Sequence, residues 1–164
     1  MTSPNHKLQS FEELLRKRET WSDRGQRLVL ANGAFDMLHV GHLRYLASAR
    51  AHGDVLVVAV NSDLSVRSAK GPDRPIIPEA ERVEIVSHLQ MVDWIFLFDD
   101  PTLDRILDLL RPEVHAKGTD YTVETVPERA VVKAYGGETV ICGDPKEHAT
   151  TDLVGLIVER FGDR

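Results

Sequence analysis

Six consecutive apolar residues, Val55-Leu56-Val57-Val58-Ala59-Val60, follow the turn Gly53-Asp54. The run is far too short to span a membrane as a helix. It also lacks the in-and-out alternation of a strand with one wet face, so it reads as a strand buried on both faces, as inside a parallel sheet. Parallel strands need crossover connections, usually helices, and those helices must cover both faces of the sheet. The rest of the chain supplies such an alternation.

Ser10-Phe11-Glu12-Glu13 reads as a capping box opening a short helix to about Glu19. The remainder of 1–26 reads as an N-terminal lead-in, and 27–164 as the domain proper. A first strand is expected over 27–32 and a helix over 41–52, with Leu43, Leu46 and Ala47 facing inward. Pro78 opens a helix with Glu79 and Glu81 in its first turn and Val83, Val86 and Leu89 on its inner face. Further strands are expected at 94–98, 114–116 (ending at Lys117-Gly118) and 139–142. Helices are expected at 102–110 (stopped by Arg111-Pro112), near 126–135, and from about Thr151. The polar stretch 61–77 reads as a long loop, functional or mobile, able to act as a lid. The pattern predicts an α/β fold: a Rossmann-like, doubly wound parallel sheet of about five strands with helices on both faces.

Composition narrows the function. A net charge of −6 and pI near 5.6 argue against general binding to nucleic acid or anionic membranes. One cysteine allows no internal disulfide, and the polar start lacks the apolar stretch of a signal peptide. The expectation is a cytoplasmic protein.

Directly after the first apolar run lies Asn32-Gly33-Ala34-Phe35-Asp36-Met37-Leu38-His39-Val40-Gly41-His42. A helix start offers unpaired N–H groups and the positive end of a dipole, Gly41 lets a phosphate approach the backbone, and His39 and His42 share one face. Two histidines alone do not make a zinc site, so no metal ligation is expected. Neither a P-loop nor GxGxxG occurs. Two imidazoles at a helix start suit attack by an ionised acceptor on the α-phosphorus of a nucleoside triphosphate. That reaction needs positioning and charge stabilisation rather than a general base. Asp36 reads as an orienting or turn residue. Strand topology should bring Asn61-Ser62-Asp63, Lys117-Gly118-Thr119-Asp120 and the segment before Thr150 to the same sheet edge.

The motif Asn-Gly-x-Phe-Asp-x-Leu-His-x-Gly-His resembles that of the cytidylyltransferase-like nucleotidyltransferase family. Further segments are similar to the branch that adenylylates D-glycero-β-D-manno-heptose 1-phosphate: 58–63, Lys70-Gly71 with Arg74-Pro75-Ile76, Glu81-Arg82, Val92-Asp93-Trp94, Arg111-Pro112 and 117–121. The resemblance implies transfer of AMP from ATP, with Mg²⁺, to that sugar phosphate, giving ADP-heptose and pyrophosphate. His39, His42 and Lys70 would be catalytic. Asn32, Gly33, Phe35, Gly41, Lys117, Asp120, Thr150 and Thr151 would hold the nucleotide. Asp36, Asp63, Arg74 and Tyr121 would hold the acceptor. A homodimer and a separate heptose kinase are implied as partners, since 164 residues leave no room for a fused kinase.

Each role has a plainer counterpart: Lys70 as a solvated loop charge, Arg82 as a partner for Glu79 or another subunit, Asp93-Trp94 as packing, and Thr150-Thr151 as a helix cap. His115 carries no expected role beyond packing. Two departures stand out. The segment 144–149 lacks the family's Gly and Ser, which leaves Lys146 or His148 as substitutes, and Thr119 replaces a glycine. The arginine that glycerol-phosphate-type cytidylyltransferases carry before their final Ser-Thr-Thr is missing, which favours ATP. The alternatives are a cytidylyltransferase for a polyol or amino-alcohol phosphate, an FAD synthetase, and a degenerate nucleotide-binding regulator.

Overall fold

The computed structural model describes residues 6–145 and 149–162; Lys146 and His148 lie outside them. Within the described residues, five strands form one all-parallel sheet: β1 (Leu28–Gly33), β2 (Val55–Asn61), β3 (Trp94–Phe98), β4 (Val114–Gly118) and β5 (Glu138–Cys142). Their order is β3-β2-β1-β4-β5, so the chain winds outward from β1 in one direction and then in the other. The apolar run 55–60 is wholly buried and sits beside β1, with Leu28 opposite Val55 and Gly33 opposite Val60.

Among the described residues, seven α-helices cover the two faces: α1 (Phe11–Asp23), α2 (Val40–Arg50), α3 (Asp63–Lys70), α4 (Glu79–Ser87), α5 (Asp104–Leu110), α6 (Arg129–Ala134) and α7 (Thr150–Phe161). A 3₁₀ turn (Val123–Thr125) precedes α6. Strand alternation divides the core. Val29, Ala31, Val58 and Val60 pack with Leu46 and Ala49 of α2 and with Val83 and Val86 of α4. Leu28, Leu30, Val57 and Ala59 pack with α1, α5 and α6. A fully buried leucine such as Leu46 or Leu107 contributes about 2 kcal/mol. None of the described helices is long and apolar enough to cross a membrane.

The structure departs from the sequence expectation in four places. The 61–77 stretch is not a continuous loop, because Ser62 caps α3 by accepting from the Ser65 N–H. On α2, Ala47 is exposed and Leu43 only half-buried, while Tyr45 and Ala49 face the core beside Leu46. In the N-terminal segment the expected capping box opens a helix longer than expected. Leu8 bridges Ile95 at the β3 edge, the Ser10–Glu13 capping box forms, and α1 runs to Asp23 with Leu14 and Trp21 buried. The cap of α7 is Ala149 with Asp152 reaching back, not Thr150.

The switch point lies between β1 and β4, whose pairing ends at Ala31–Ala116. Beyond it the strands part, and the Tyr45 hydroxyl fills the gap by accepting from the Asn32 N–H (3.3 Å) and donating to the Ala116 carbonyl (2.8 Å). Ligands in open α/β sheets bind at such a parting, outside the carboxyl ends of the strands.

Candidate active site

A cavity of about 320 Å³ opens there, walled by residues of the motif and of α2 between Asn32 and Tyr45, by 117–121, by 142–145 and by Ala149 and Thr150. Its floor is the motif itself. Phe35 and Met37 both adopt left-handed backbone (φ 53° and 54°), which costs about 1 kcal/mol or more per non-glycine residue and persists only where surroundings enforce it. Two groups do so. The buried Asp36 carboxylate accepts from Arg74 Nε (2.8 Å), the Ile76 N–H (3.0 Å) and the Ile77 N–H (2.9 Å). Burial opposes its charge, but these donors outweigh that effect and hold its pKa below the ordinary value.

Arg82 of α4 is the second. Fully buried, it donates to the carbonyls of Ile77 (2.9 Å), Asn61 (2.8 Å) and Ala34, and to Asp63 Oδ1 (2.9 Å). One guanidinium thus ties the motif, the end of β2, the start of α3 and the start of α4 together. Its partner is Asp63, rather than the expected Glu79 or a second subunit.

His39 is the N-cap of α2. Its Nδ1 accepts from the Gly41 N–H (3.1 Å), and His42 Nδ1 accepts from the His39 N–H (3.3 Å). A nitrogen that accepts carries no proton, so the N–H of each ring is on Nε2. The ring centroids lie 4.0 Å apart with the planes tilted by 33°, and both rings line the cavity. Burial, then His39, then the Lys70 charge push His42 down to about 4, so it is neutral at physiological pH. The helix cap and the choice of tautomer are one arrangement.

Asn32, Gly33, Phe35 and Gly41 line the same cavity, as do Lys117, Asp120, Tyr121 and Thr150. The Lys117 ammonium stands 3.5 Å from Glu128 and 4.9 Å from the Tyr121 ring centroid. The Thr150 hydroxyl donates to the Asp36 carbonyl (2.8 Å), fastening α7 to the motif. Thr151 is exposed and does not line the cavity. Lys70, at the exposed end of α3, is outside the wall but near enough to act on His42.

Asp36, Arg74 and Asp63 are placed differently from the expectation that they hold the acceptor. None lines the cavity, and all three are engaged with the chain itself. Asp63 and Glu79 cap one another's helices, each carboxylate accepting from the other's N–H. Asp93 is structural, accepting from the Leu56 N–H (2.7 Å). Sequence reasoning overlooked the Arg44–Asp144 pair (3.0 Å) and Tyr45 on the cavity wall, and it left His115 to packing. A signal existed for His115, since it stands two residues before Lys117 on a buried strand.

The sequence pattern of the cytidylyltransferase-like family matches residues 30–157. The bifunctional protein HldE of Syntrophotalea carbinolica is 40% identical over 163 residues, 95% of this chain and 33% of that protein. The chain thus spans about a third of the length of the relatives it matches. The lipopolysaccharide core biosynthesis protein from Thermoplasma volcanium GSS1 aligns with a TM-score of 0.64 and 28% identity, over 74% of this chain and 100% of that one. Pantoate-beta-alanine ligase from Francisella tularensis shares the fold, with a TM-score of 0.61 and 12% identity over 96% of this chain and 79% of that one.

Proposed function

The chain belongs to the cytidylyltransferase-like family, and we propose on that footing that it transfers AMP from ATP to D-glycero-D-manno-heptose 1-phosphate, forming ADP-heptose and pyrophosphate. An oxygen of the acceptor phosphate attacks the α-phosphorus, the bond from that phosphorus to the β-phosphate oxygen breaks, and pyrophosphate leaves with the electron pair. The nucleophile is already ionised, so no base is needed. The one carboxylate inside the motif, Asp36, is committed to Arg74, Ile76 and Ile77.

The observation that carries this reading is the close imidazole pair with both protons on Nε2, set at a helix N-terminus on the switch point. His39 and His42 would donate to α-phosphoryl and leaving-group oxygens as these gain charge, each typically worth about a hundred- to a thousandfold. Gly33, Phe35 and Gly41 would shape the backbone cradle. Asn32, Lys117 and Asp120 would meet the nucleotide, with the N-terminus of α7 at Thr150 and Thr151 holding the outer phosphates. Tyr121 would face the sugar phosphate, and Lys70 would add charge from the end of α3. Asp36, Asp63 and Arg74 support the acceptor side indirectly, through the fold of 71–77.

Mg²⁺ would arrive as part of the ATP substrate. The reading also includes a homodimer and a separate kinase that makes the 1-phosphate. Pyrophosphate release tests it, with ATP, CTP and GTP each offered heptose 1-phosphate and a panel of polyol phosphates. Release is expected with ATP and the heptose alone. Preference for CTP with glycerol 3-phosphate would move the chain to the polyol branch, and no release from any pair would leave a nucleotide-binding regulator.

A further inference from the structure

Three polar side chains meet at the inner wall of the cavity, on the sheet face that otherwise carries Leu28 and Leu30. Asn32 lies near the end of β1, and His115 and Lys117 stand two apart on β4, so strand alternation puts all three on one side. His115 is wholly buried. Its Nε2 lies 3.4 Å from Asn32 Oδ1, and Lys117 Nζ lies 3.4 Å from that same oxygen.

The ammonium identifies the atoms around it. It has only protons to give, so the Asn32 atom it meets is the carbonyl oxygen and not the amide nitrogen. The Asn32 oxygen is thus taken up by this pair, which leaves the NH₂ as the donor that Asn32, a residue of the cavity wall, has to offer. The same oxygen sets the imidazole tautomer. Facing an acceptor, Nε2 carries the proton, which leaves a bare Nδ1 with no hydrogen-bond partner among the described residues. A buried polar atom without a partner costs stability, so a histidine is a poor choice for packing alone. Burial, then the Lys117 charge, pushes the ring down to about 3 and keeps it a neutral donor.

We propose that His115 is a positioning residue: its Nε2–H, together with the Lys117 ammonium, locks the Asn32 amide so that the Asn32 NH₂ is presented to an acceptor oxygen of the bound nucleoside triphosphate. This rests on the nucleotide-binding reading above. His115 touches no substrate; it acts through Asn32.

The test is ATP binding by calorimetry to the full chain, in a double-mutant cycle of His115→Leu with Asn32→Ala, and with His115→Gln, whose amide N–H can replace Nε2–H. Loss of one oriented hydrogen bond should weaken ATP roughly tenfold in His115→Leu. His115→Gln should recover most of that, and in the Asn32→Ala background His115→Leu should cost less than about twofold. Unchanged binding by His115→Leu, or the same loss in both backgrounds, would overturn the proposal. If the unaltered chain binds no ATP, the nucleotide reading is what fails. The positioning is then decided by ¹⁵N NMR of the ring without ligand: a neutral Nε2–H tautomer from pH 5 to 8 is expected, and an Nδ1–H ring or one titrating near pH 6.5 refutes it.

Discussion

His42 is held neutral by its surroundings, chiefly burial, then His39 and Lys70. A neutral ring with its proton on Nε2 can donate to an oxygen as that oxygen becomes more negative, and it has no proton transfer to complete. His42→Ala should therefore lower kcat about a hundred- to a thousandfold while changing ATP affinity less than about threefold. Equal losses in both would make His42 a ground-state anchor only. The depressed pKa also has a consequence for stability. The unfolded chain binds this proton near pH 6.5 and the folded one only near pH 4, so in that window the unfolded state carries more protons. Stability falls as pH drops from about 6.5 towards 4, with a limiting slope of about 1.4 kcal/mol per pH unit. Urea midpoints recorded from pH 7.5 to 4.5 should decline less steeply for His42→Ala than for the unaltered chain; parallel slopes would contradict the assignment.

At the level of elements, the site depends on a clamp as much as on the motif. Arg82 draws the carbonyls of Ala34, Asn61 and Ile77 and the Asp63 carboxylate to one point. Arg82→Met would leave these acceptors without their donor, and breaking a buried ionic contact on one side costs about 3–5 kcal/mol. Chemical denaturation should show a loss of that size, and a loss under about 1 kcal/mol would mean that the clamp is redundant. None of this is visible as periodicity, because the partners of Arg82 come from three separate stretches, at Ala34, at Asn61 and Asp63, and at Ile77. The strands and the motif were legible, since continuous apolar runs and a glycine-punctuated turn are local signals. Helix α3 was not: it buries only Ser65 and Val66, too little to mark a 3.6-residue period. The inner face of α2 was misread because Tyr45, with a polar tip, takes the core position that Leu43 and Ala47 seemed fitted for by their apolarity. Asp36, Asp63 and Arg74 announced charge correctly, but sequence shows a charge without showing its neighbour.

Over the whole molecule, an excess of acidic residues coexists with a cavity bordered by Arg44, Lys117 and two imidazoles. Winding order reconciles the two. Because β1 and β4 are neighbours while the chain leaves them in opposite directions, the loops after both strands open at one place, and α7 closes it from the side through Thr150. The fold thus concentrates donors where the strands part. In the proposed reaction an acceptor phosphate oxygen attacks the α-phosphorus of ATP directly at this point. Phosphorus NMR of a reaction between ATP and heptose 1-phosphate carrying ¹⁸O in its phosphate tests it most directly. The expected result is one ADP-heptose and one pyrophosphate per ATP, with ¹⁸O in the phosphorus–oxygen–phosphorus bridge of the sugar nucleotide and none in pyrophosphate. Formation of ADP, or ¹⁸O in the pyrophosphate, would contradict it.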